Sequence, residues 1–452
     1  MQGLFLLLVW TALMGLGTQA PFVFGLGYIW VDLFTPQYVN PHLMGAFPVS
    51  LLMGLGAAGG YLLTDRRASP GLRPGIVLPV IWAIWITLTT TWAVAPDTAW
   101  IKWNWAYKTV LFSAFMPFLF RSRVQIEAAV AVIVLSILAH AIPFGAKTLM
   151  TGGGYGRQLG LLQINSALGE SSTLAVDCVG ILPLLAWLAQ YSLIVPRIVP
   201  RFVVKGRLLP LGFLALGGMA MLTTLGTYAR AGLISIGIFA AFYWWGSKRK
   251  LLLAIGFCIV GAALGVRMGN GYSARMSTIA DPTHEQSASV RIAVWTWTYH
   301  FALQHPLGGG FDAYRLDTID FDLGDREMQE QSRAFHSMYF EVLGEQGFVG
   351  IGIFGAMMAT FFAGAWRVAR RARKFPELAW MTGLARALMV SGLAYFAGTA
   401  FIGVAFQPFH YDLFALTVAL LNHYARATAG QKLPQAQAQV QGRAGTVRPV
   451  RA

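Results

Sequence analysis

"QSRAFHSMYFEVLGEQGFVGIGIFGAMM", residues 331–358, opens with an arginine and a histidine, passes two glutamates and then turns almost wholly apolar. From Phe348 onward it has the composition of a bilayer-crossing helix, which needs about 20 apolar residues to cover roughly 30 Å of hydrocarbon. Similar runs recur along nearly the whole chain, beginning near residues 3, 45, 75, 106, 126, 172, 208, 231, 251, 346, 381 and 410. The pattern predicts an all-α polytopic membrane bundle of about twelve transmembrane helices. It argues against a barrel, whose strands would alternate polar and apolar residues. Composition agrees: of 452 residues, 56% are hydrophobic and only 12% charged.

The basic residues set an orientation. Arg66, Arg67 and Arg73, then Arg121 and Arg123, then Arg197, Arg201, Lys205 and Arg207, then Lys248, Arg249 and Lys250, then Arg367, Arg370, Arg371, Arg373 and Lys374 fall in turns. Two apolar runs separate each cluster from the next, so the positive-inside rule makes all of them cytoplasmic, together with a tail carrying Arg426, Lys432, Arg443, Arg448 and Arg451. Topology therefore accounts for the net charge of +15 with membrane lipids, and no nucleic acid, as the partner. "MQGLFLLLVWTALMGLGTQAPF" lacks the basic start of a signal peptide and reads as the first span, with "GLGYIWVDLF" as its continuation or an interfacial piece. Both termini are then expected in the cytoplasm, and the stretch after about Thr428 reads as disordered. Cys178 and Cys258 sit inside apolar runs, where they pack as small hydrophobes.

One non-cytoplasmic segment, residues 267–345, is far longer than the others, and a loop of that size is usually functional or a small domain. Within it "ASVRIAVWTWTYHFALQH" (288–305) predicts a helix, because Arg291, Trp295, Tyr299 and Ala302 recur at steps of three and four and Pro306 with Gly308–Gly310 stops it. Arg291 and Trp295 share a face, which fits a helix lying at headgroup level with a snorkelling arginine as well as it fits a functional surface. The acidic run "DTIDFDLGDREMQE" (317–330) misplaces the glycine of a calcium loop and lacks its closing glutamate, so it reads as a solvated surface rather than a metal site. Arg333 and His336 fall on one helical face if helix has begun by then, and Tyr339 and Phe340 continue that face. A histidine here can serve as a base near neutral pH; a hydrogen-bonded structural group is the plainer reading of the residue alone.

Further polar chemistry falls on this same side. Arg230, in "TYARAG" (227–232), occupies a tight turn between two spans, where it can snorkel or offer its planar, permanently charged fork to a phosphate or pyrophosphate. "MTGGGYGRQLGLLQINSALGESS" (150–172) adds Arg157, Gln163, Asn165 and Glu170. "APDTAWIKWNWAYK" (95–108) interleaves Lys102 and Lys108 with aromatics and reads as an interfacial belt. Asp177, early in a span, reads as an acid hydrogen-bonded near the outer interface, although acids inside membranes are candidates for function.

The stretch from His336 and Ser337 through Gly347 to Gly350 resembles the signature of the bacterial O-antigen ligases, whose superfamily also holds O-antigen polymerases and protein O-oligosaccharyltransferases. "SASVRIAVW" around Arg291 and Trp295, "HPLGGGF" at 305–311 and "TYARAG" around Arg230 look like other parts of the same domain, extending from about Leu208 to Phe401. "GRQLGLLQINSALGESS" is similar to ligase relatives found beside exosortase systems. The resemblance divides the chain into N-terminal transmembrane helices (1–207), a ligase/polymerase transmembrane domain (208–425) containing the loop 267–345, and a basic tail (426–452).

The resemblance implies a GT-C type glycosyltransferase of the bacterial inner membrane, without metal or other cofactor. It would transfer a glycan from undecaprenyl diphosphate to the lipid A core at the periplasmic face, with inversion. His336 would take the acceptor proton, and Arg230, Arg291 and Arg157 would hold the diphosphate. Tyr339, Trp295 and Arg333 would place substrate. A polymerase or a protein-glycosylating ligase would use the same donor. A flippase for that lipid is the alternative of another class, but it should carry its polar groups near mid-membrane in paired positions.

Overall fold

The computed structural model describes residues 2–65, 74–154, 168, 170–205, 208–251, 286–315, 319–322, 327–330 and 334–444. The long helices of the first half are α1 (Gln2–Gln19), α2 (Phe22–Phe34), α3 (Val49–Thr64), α4 (Pro74–Thr91), α5 (Pro96–Leu119), α6 (Arg123–Thr151), α7 (Ser171–Gly180) and α8 (Leu182–Tyr191). The second half adds α9 (Leu208–Gly226), α10 (Arg230–Gly246), α11 (Gln286–Gln304), α12 (Met338–Ala372), α13 (Ala379–Gly398) and α14 (Pro408–Ala444). One antiparallel hairpin, β1 (Ile319–Asp322) with β2 (Glu327–Glu330), falls in the acidic run and pairs Asp320 with Gln329.

Among the described residues seven segments are long and apolar enough to cross a membrane: Gln2–Gln19, Pro74–Thr91, Arg123–Thr151, Ser171–Tyr191, Leu208–Gly226, Met338–Ala372 and Pro376–Phe401. Helices also stand where further crossings are expected, but α3 and α10 have 16 and 17 residues, and charged residues interrupt α5. Among the described residues seven segments therefore meet this criterion where about twelve spans are expected along the chain, and the run expected near residue 251 lies outside the described residues. α14 continues to Ala444, past the point where a disordered tail is expected; alanine and glutamine, which dominate there, are good helix formers.

The helices pack as an antiparallel bundle in which α6 lies on α9, α4 on α5 and α12, α13 on α10 and α12, and α14 on α5. Its two ends differ in character. At one end Arg121 pairs with Asp65 at 3.9 Å, Arg426 donates to the Arg121 carbonyl at 2.8 Å, and Arg123 donates to the Tyr191 carbonyl at 2.8 Å. The Arg121–Arg123 turn and the start of the tail, which the sequence assigns to one side, meet there. A capping box starts α6 at this end, with Ser122 and Gln125 each bonding the other's backbone N–H.

α2 corrects the reading of the N-terminal stretch. Pro21 separates "GLGYIWVDLF" from α1, and the second piece is a helix of its own, buried along Phe24–Ile29, Val31 and Leu33. α1 and α2 run antiparallel: Gly3 faces Asn40 and Leu43, whereas Gly17 faces Phe24, and Pro21 meets Gly60 near the basic end. The N-terminus thus starts at the end opposite Arg426, because α2 adds a crossing that the parity count omitted. Asp177 is buried within the bundle, 2% exposed in α7, and its Oδ1 has no hydrogen-bond partner.

Candidate active site

His336 lies ahead of α12, not within it. Ser337 is the N-cap, and the φ of His336 is 47°, in the left-handed region. Its spacing from Arg333 therefore does not become a shared helical face, and Arg333 lies outside the described residues. Holding a non-glycine residue in this region costs about 1–3 kcal/mol unless its surroundings impose it. Here they do. Phe335, Ser337 and Met338 are buried, and the Trp295 indole donates to the Phe335 carbonyl at 2.9 Å. The Trp295 ring also lies parallel to Phe340 with centroids 5.1 Å apart. The Tyr339 hydroxyl donates to the Phe396 carbonyl at 2.9 Å. Trp295 and Tyr339, expected to place substrate, spend their polar atoms on backbone and brace the histidine turn.

Arg291 stands one turn before Trp295 on α11, which forms over the predicted residues and buries Val290, Val294, Thr298 and Phe301 on one stripe. Val290, Val294, Phe301, Ala313 and Phe335 make a small apolar core separate from that of the bundle. α11 is therefore packed onto the start of α12 and does not simply lie on a membrane surface. Glu170, partly exposed just before α7, has its carboxyl lifted above the ordinary range by the protein around it, while Arg291 pulls it back and Glu341 pushes it up. These three groups lie within electrostatic reach of one another.

Arg230 opens α10. Two residues earlier Tyr228 is left-handed, with φ 55°, and its hydroxyl donates to the Gly152 carbonyl at 3.0 Å. Gly154 N–H donates to the Gly226 carbonyl at 3.0 Å, so the segment leading toward Arg157 starts against the Arg230 turn. Arg157 itself lies outside the described residues. The elements bearing Arg230, Arg291 and His336 meet around the turn Thr399–Phe401: α10 and α12 pack on it, Trp295 meets Phe401 with ring centroids 5.9 Å apart, and the Thr399 hydroxyl reaches the Met338 sulfur at 3.7 Å.

The two glycine motifs interlock. Gly347 breaks α12 with φ 67° and ψ −167°, and the opened turn receives the 305–311 loop. Phe348 N–H donates to the Pro306 carbonyl at 2.9 Å, Gly309 N–H to Gly344 at 3.0 Å, and Gly310 N–H to Glu345 at 2.9 Å. A side chain at Gly347 would run into the backbone of Pro306–Gly308, and one at Gly308 into that of Glu345–Gly347. α4 locks the join: the Trp85 indole donates to the Gln346 carbonyl at 3.0 Å, and Thr89 donates to the Gln346 side-chain oxygen at 2.6 Å.

A charge cluster lies beside this join. Lys102 of α5 donates to Glu341 at 2.7 Å and to Glu345 at 2.8 Å, with Asp312 at 3.9 Å. Asp312, left-handed at φ 57°, binds Arg315 at 3.0 Å and donates its N–H to Glu345 at 2.9 Å. The second oxygen of Glu341 accepts from Ala405 N–H at 2.9 Å. Glu345 is fully buried, and Phe311 and Phe406 cover the Lys102 ammonium at 5.5 and 5.3 Å. The sequence reading assigned Lys102 to an interfacial belt and missed this cluster. The available signal was Glu341 and Glu345, four apart on one helical face at the start of an apolar run, a pair that burial permits only with a cation. Among the described residues no group of three or more His, Cys, Asp or Glu side chains is placed to hold a metal ion.

Two comparisons bear on identity. Residues 1–193 match a family of unknown function, and residues 212–355 match the O-antigen ligase family. No curated protein matches the chain. The second match contains Arg230, Arg291, Trp295, the 305–311 loop, His336 and both glycines of the break, and the helices around it form a multi-pass membrane bundle. Residues 212–355 of this chain are thus similar to the O-antigen ligase family.

Proposed function

We propose that the protein transfers a glycan from a polyprenyl diphosphate, undecaprenyl diphosphate in a bacterial inner membrane, to the sugar core of lipid A. The observation that carries this reading is the junction at Thr399–Phe401, where the elements bearing a braced, left-handed histidine and two arginines come together on the end of the bundle opposite its basic turns. With the basic end in the cytoplasm, this end faces the periplasm.

His336 takes the proton of the acceptor hydroxyl as that oxygen attacks the anomeric carbon, a role worth a factor of about 10²–10⁴ in rate. The bond from the anomeric carbon to the diphosphate oxygen breaks in the same displacement, so configuration inverts. Arg230 and Arg291, with Arg157, hold the diphosphate and offset the charge it gains on leaving. The donor's lipid tail lies between helices. Polymerization of lipid-linked repeats and glycosylation of a protein use the same donor chemistry and differ only in the acceptor.

The test is transfer by purified protein supplied with a polyprenyl-diphosphate-linked glycan and lipid A core, without nucleotide and with a chelator present. Product formation by the wild type and its loss in His336→Ala support the proposal. Undiminished transfer by His336→Ala refutes the assignment of the base. Products that are lengthened lipid-linked glycans, with the lipid A core unmodified, move the reading to a polymerase.

A further inference from the structure

The part of the chain that matches a family of unknown function reaches into the site of the ligase part. Lys102 lies in the first match, at residues 1–193, and Glu341 and Glu345 lie in the second, at residues 212–355. We propose that Lys102 is a positioning residue for glycan transfer, acting through Glu341 on the turn that carries His336. The proposal rests on the reading of His336 given above.

Glu341 is the first residue whose backbone N–H closes the helix onto Ser337, at 2.8 Å. Its carboxylate is held from both sides, by Lys102 at 2.7 Å and by Ala405 N–H at 2.9 Å. The open side of Gly403 faces both the Glu341 carboxylate and the His336 N–H, at 3.4 and 3.9 Å from where a Cβ would stand. One carboxylate thus joins α5, the start of α12 and the 403–405 segment directly beneath the histidine turn. Without Lys102, Glu341 and Glu345 stand one helical turn apart in a buried setting with no cation between them, so one of them takes up a proton and the hydrogen bonds that hold the first turn of α12 rearrange. The next residue outward is Ser337, and then His336. A displacement of about 1 Å at a reacting group is enough to lower a rate about 100-fold.

Lys102 donates to Glu341 and Glu345, stands 3.9 Å from Asp312 and is covered by two phenylalanines, so its charge is committed to the protein's own carboxylates and not to a diphosphate. This separates its effect from that of the arginines. Loss of Lys102 should lower kcat and leave donor KM nearly unchanged, because an interaction needed for the transition-state geometry is lost while ground-state binding is retained.

The experiment compares wild type, Lys102→Arg, Lys102→Met, Lys102→Gln and His336→Ala as full-length protein in lipid nanodiscs, with a polyprenyl-diphosphate-linked glycan as donor and lipid A core as acceptor. The expected result is a fall in kcat of about 10- to 100-fold for the two neutral variants, a donor KM within about twofold of wild type, and recovery of most of the rate in Lys102→Arg. Folded neutral variants with the wild-type kcat overturn the proposal. So does a loss confined to donor KM, or an arginine variant as slow as the neutral ones. If both neutral variants fail to fold while Lys102→Arg folds, the contact is structural only and the proposal is likewise overturned. If His336→Ala remains active, the underlying reading fails; if it is inactive while Lys102→Met turns over normally, only this inference fails.

Discussion

The two ends of the bundle solve the same problem with different means. At the basic end, cations satisfy the last carbonyls of helices, as Arg426 does for Arg121 and Arg123 for Tyr191. Such arrangements favour helix termini at little cost. At the other end, backbone and charge are both held in costly states: Tyr228, Asp312 and His336 are left-handed, and a fully buried glutamate shares one lysine with two other carboxylates. Strain and buried charge persist only where the surroundings over-determine them, and they gather at sites that do chemistry. The basic end also buries a carboxylate, Glu127, but satisfies it with the Leu193 and Ile194 N–H groups; under the proposed function the strained end is the reactive one.

The strongest way to break this contrast is His336→Ala. Transfer should fall by about 10²–10⁴, while thermal unfolding in detergent stays within a few degrees of wild type, because Phe335, Trp295 and Tyr339 brace the turn. A rate within threefold of wild type, measured as product per folded molecule, would remove the chemical meaning of the strained turn.

Gly347→Ala examines the other half of the same motif and should fail differently. A Cβ at φ 67° meets the backbone of the 305–311 loop, and left-handed strain alone costs about 1–3 kcal/mol. Folded yield and thermal midpoint should drop sharply, and rate loss should follow the loss of folded protein. The sequence shows His336 and Gly347 as two letters of one pattern. The structure shows that the glycine opens a helix to admit a second motif, whereas the histidine occupies a left-handed turn ahead of that helix.

That distinction marks how much was legible. Periodicity and length located α11 and its stop at Pro306 and the turn around Arg230, because each depends on local pattern. The separate helix α2 was missed because a proline between two apolar runs reads as readily as a kink as it does a reversal. Lys102 was missed for another reason. Its partners lie more than 200 residues away, and nothing local tells a lysine between tryptophans at an interface from one turned inward to a buried acid. Burial of Asp177 was likewise a tertiary outcome, decided by the helices packed around α7.

Trp295→Phe sharpens the contrast at smaller scale. The ring keeps its contact with Phe340, but the N–H that fixes the Phe335 carbonyl is lost, a bond worth about 0.5–1.5 kcal/mol. The rate should fall severalfold with donor KM unchanged, since the indole N–H is already spent on backbone. A rise in donor KM at constant kcat would instead restore Trp295 to a direct role in holding substrate.

The smallest effect belongs to the basic end. Arg426 is exposed and donates to the Arg121 carbonyl, so Arg426→Ala should change stability by no more than about 0.5 kcal/mol and leave transfer unchanged. The value of this variant is that it removes a full positive charge on the far side of the bundle. Were the site sensitive to the overall field of a strongly basic protein, transfer would change and would do so less at high salt, because screening acts over about 10 Å at 0.1 M. An unchanged rate at both salt concentrations means that the reactive end depends on its own buried pairs, with Lys102 and the arginines acting at contact distance and the cytoplasmic charges serving orientation alone.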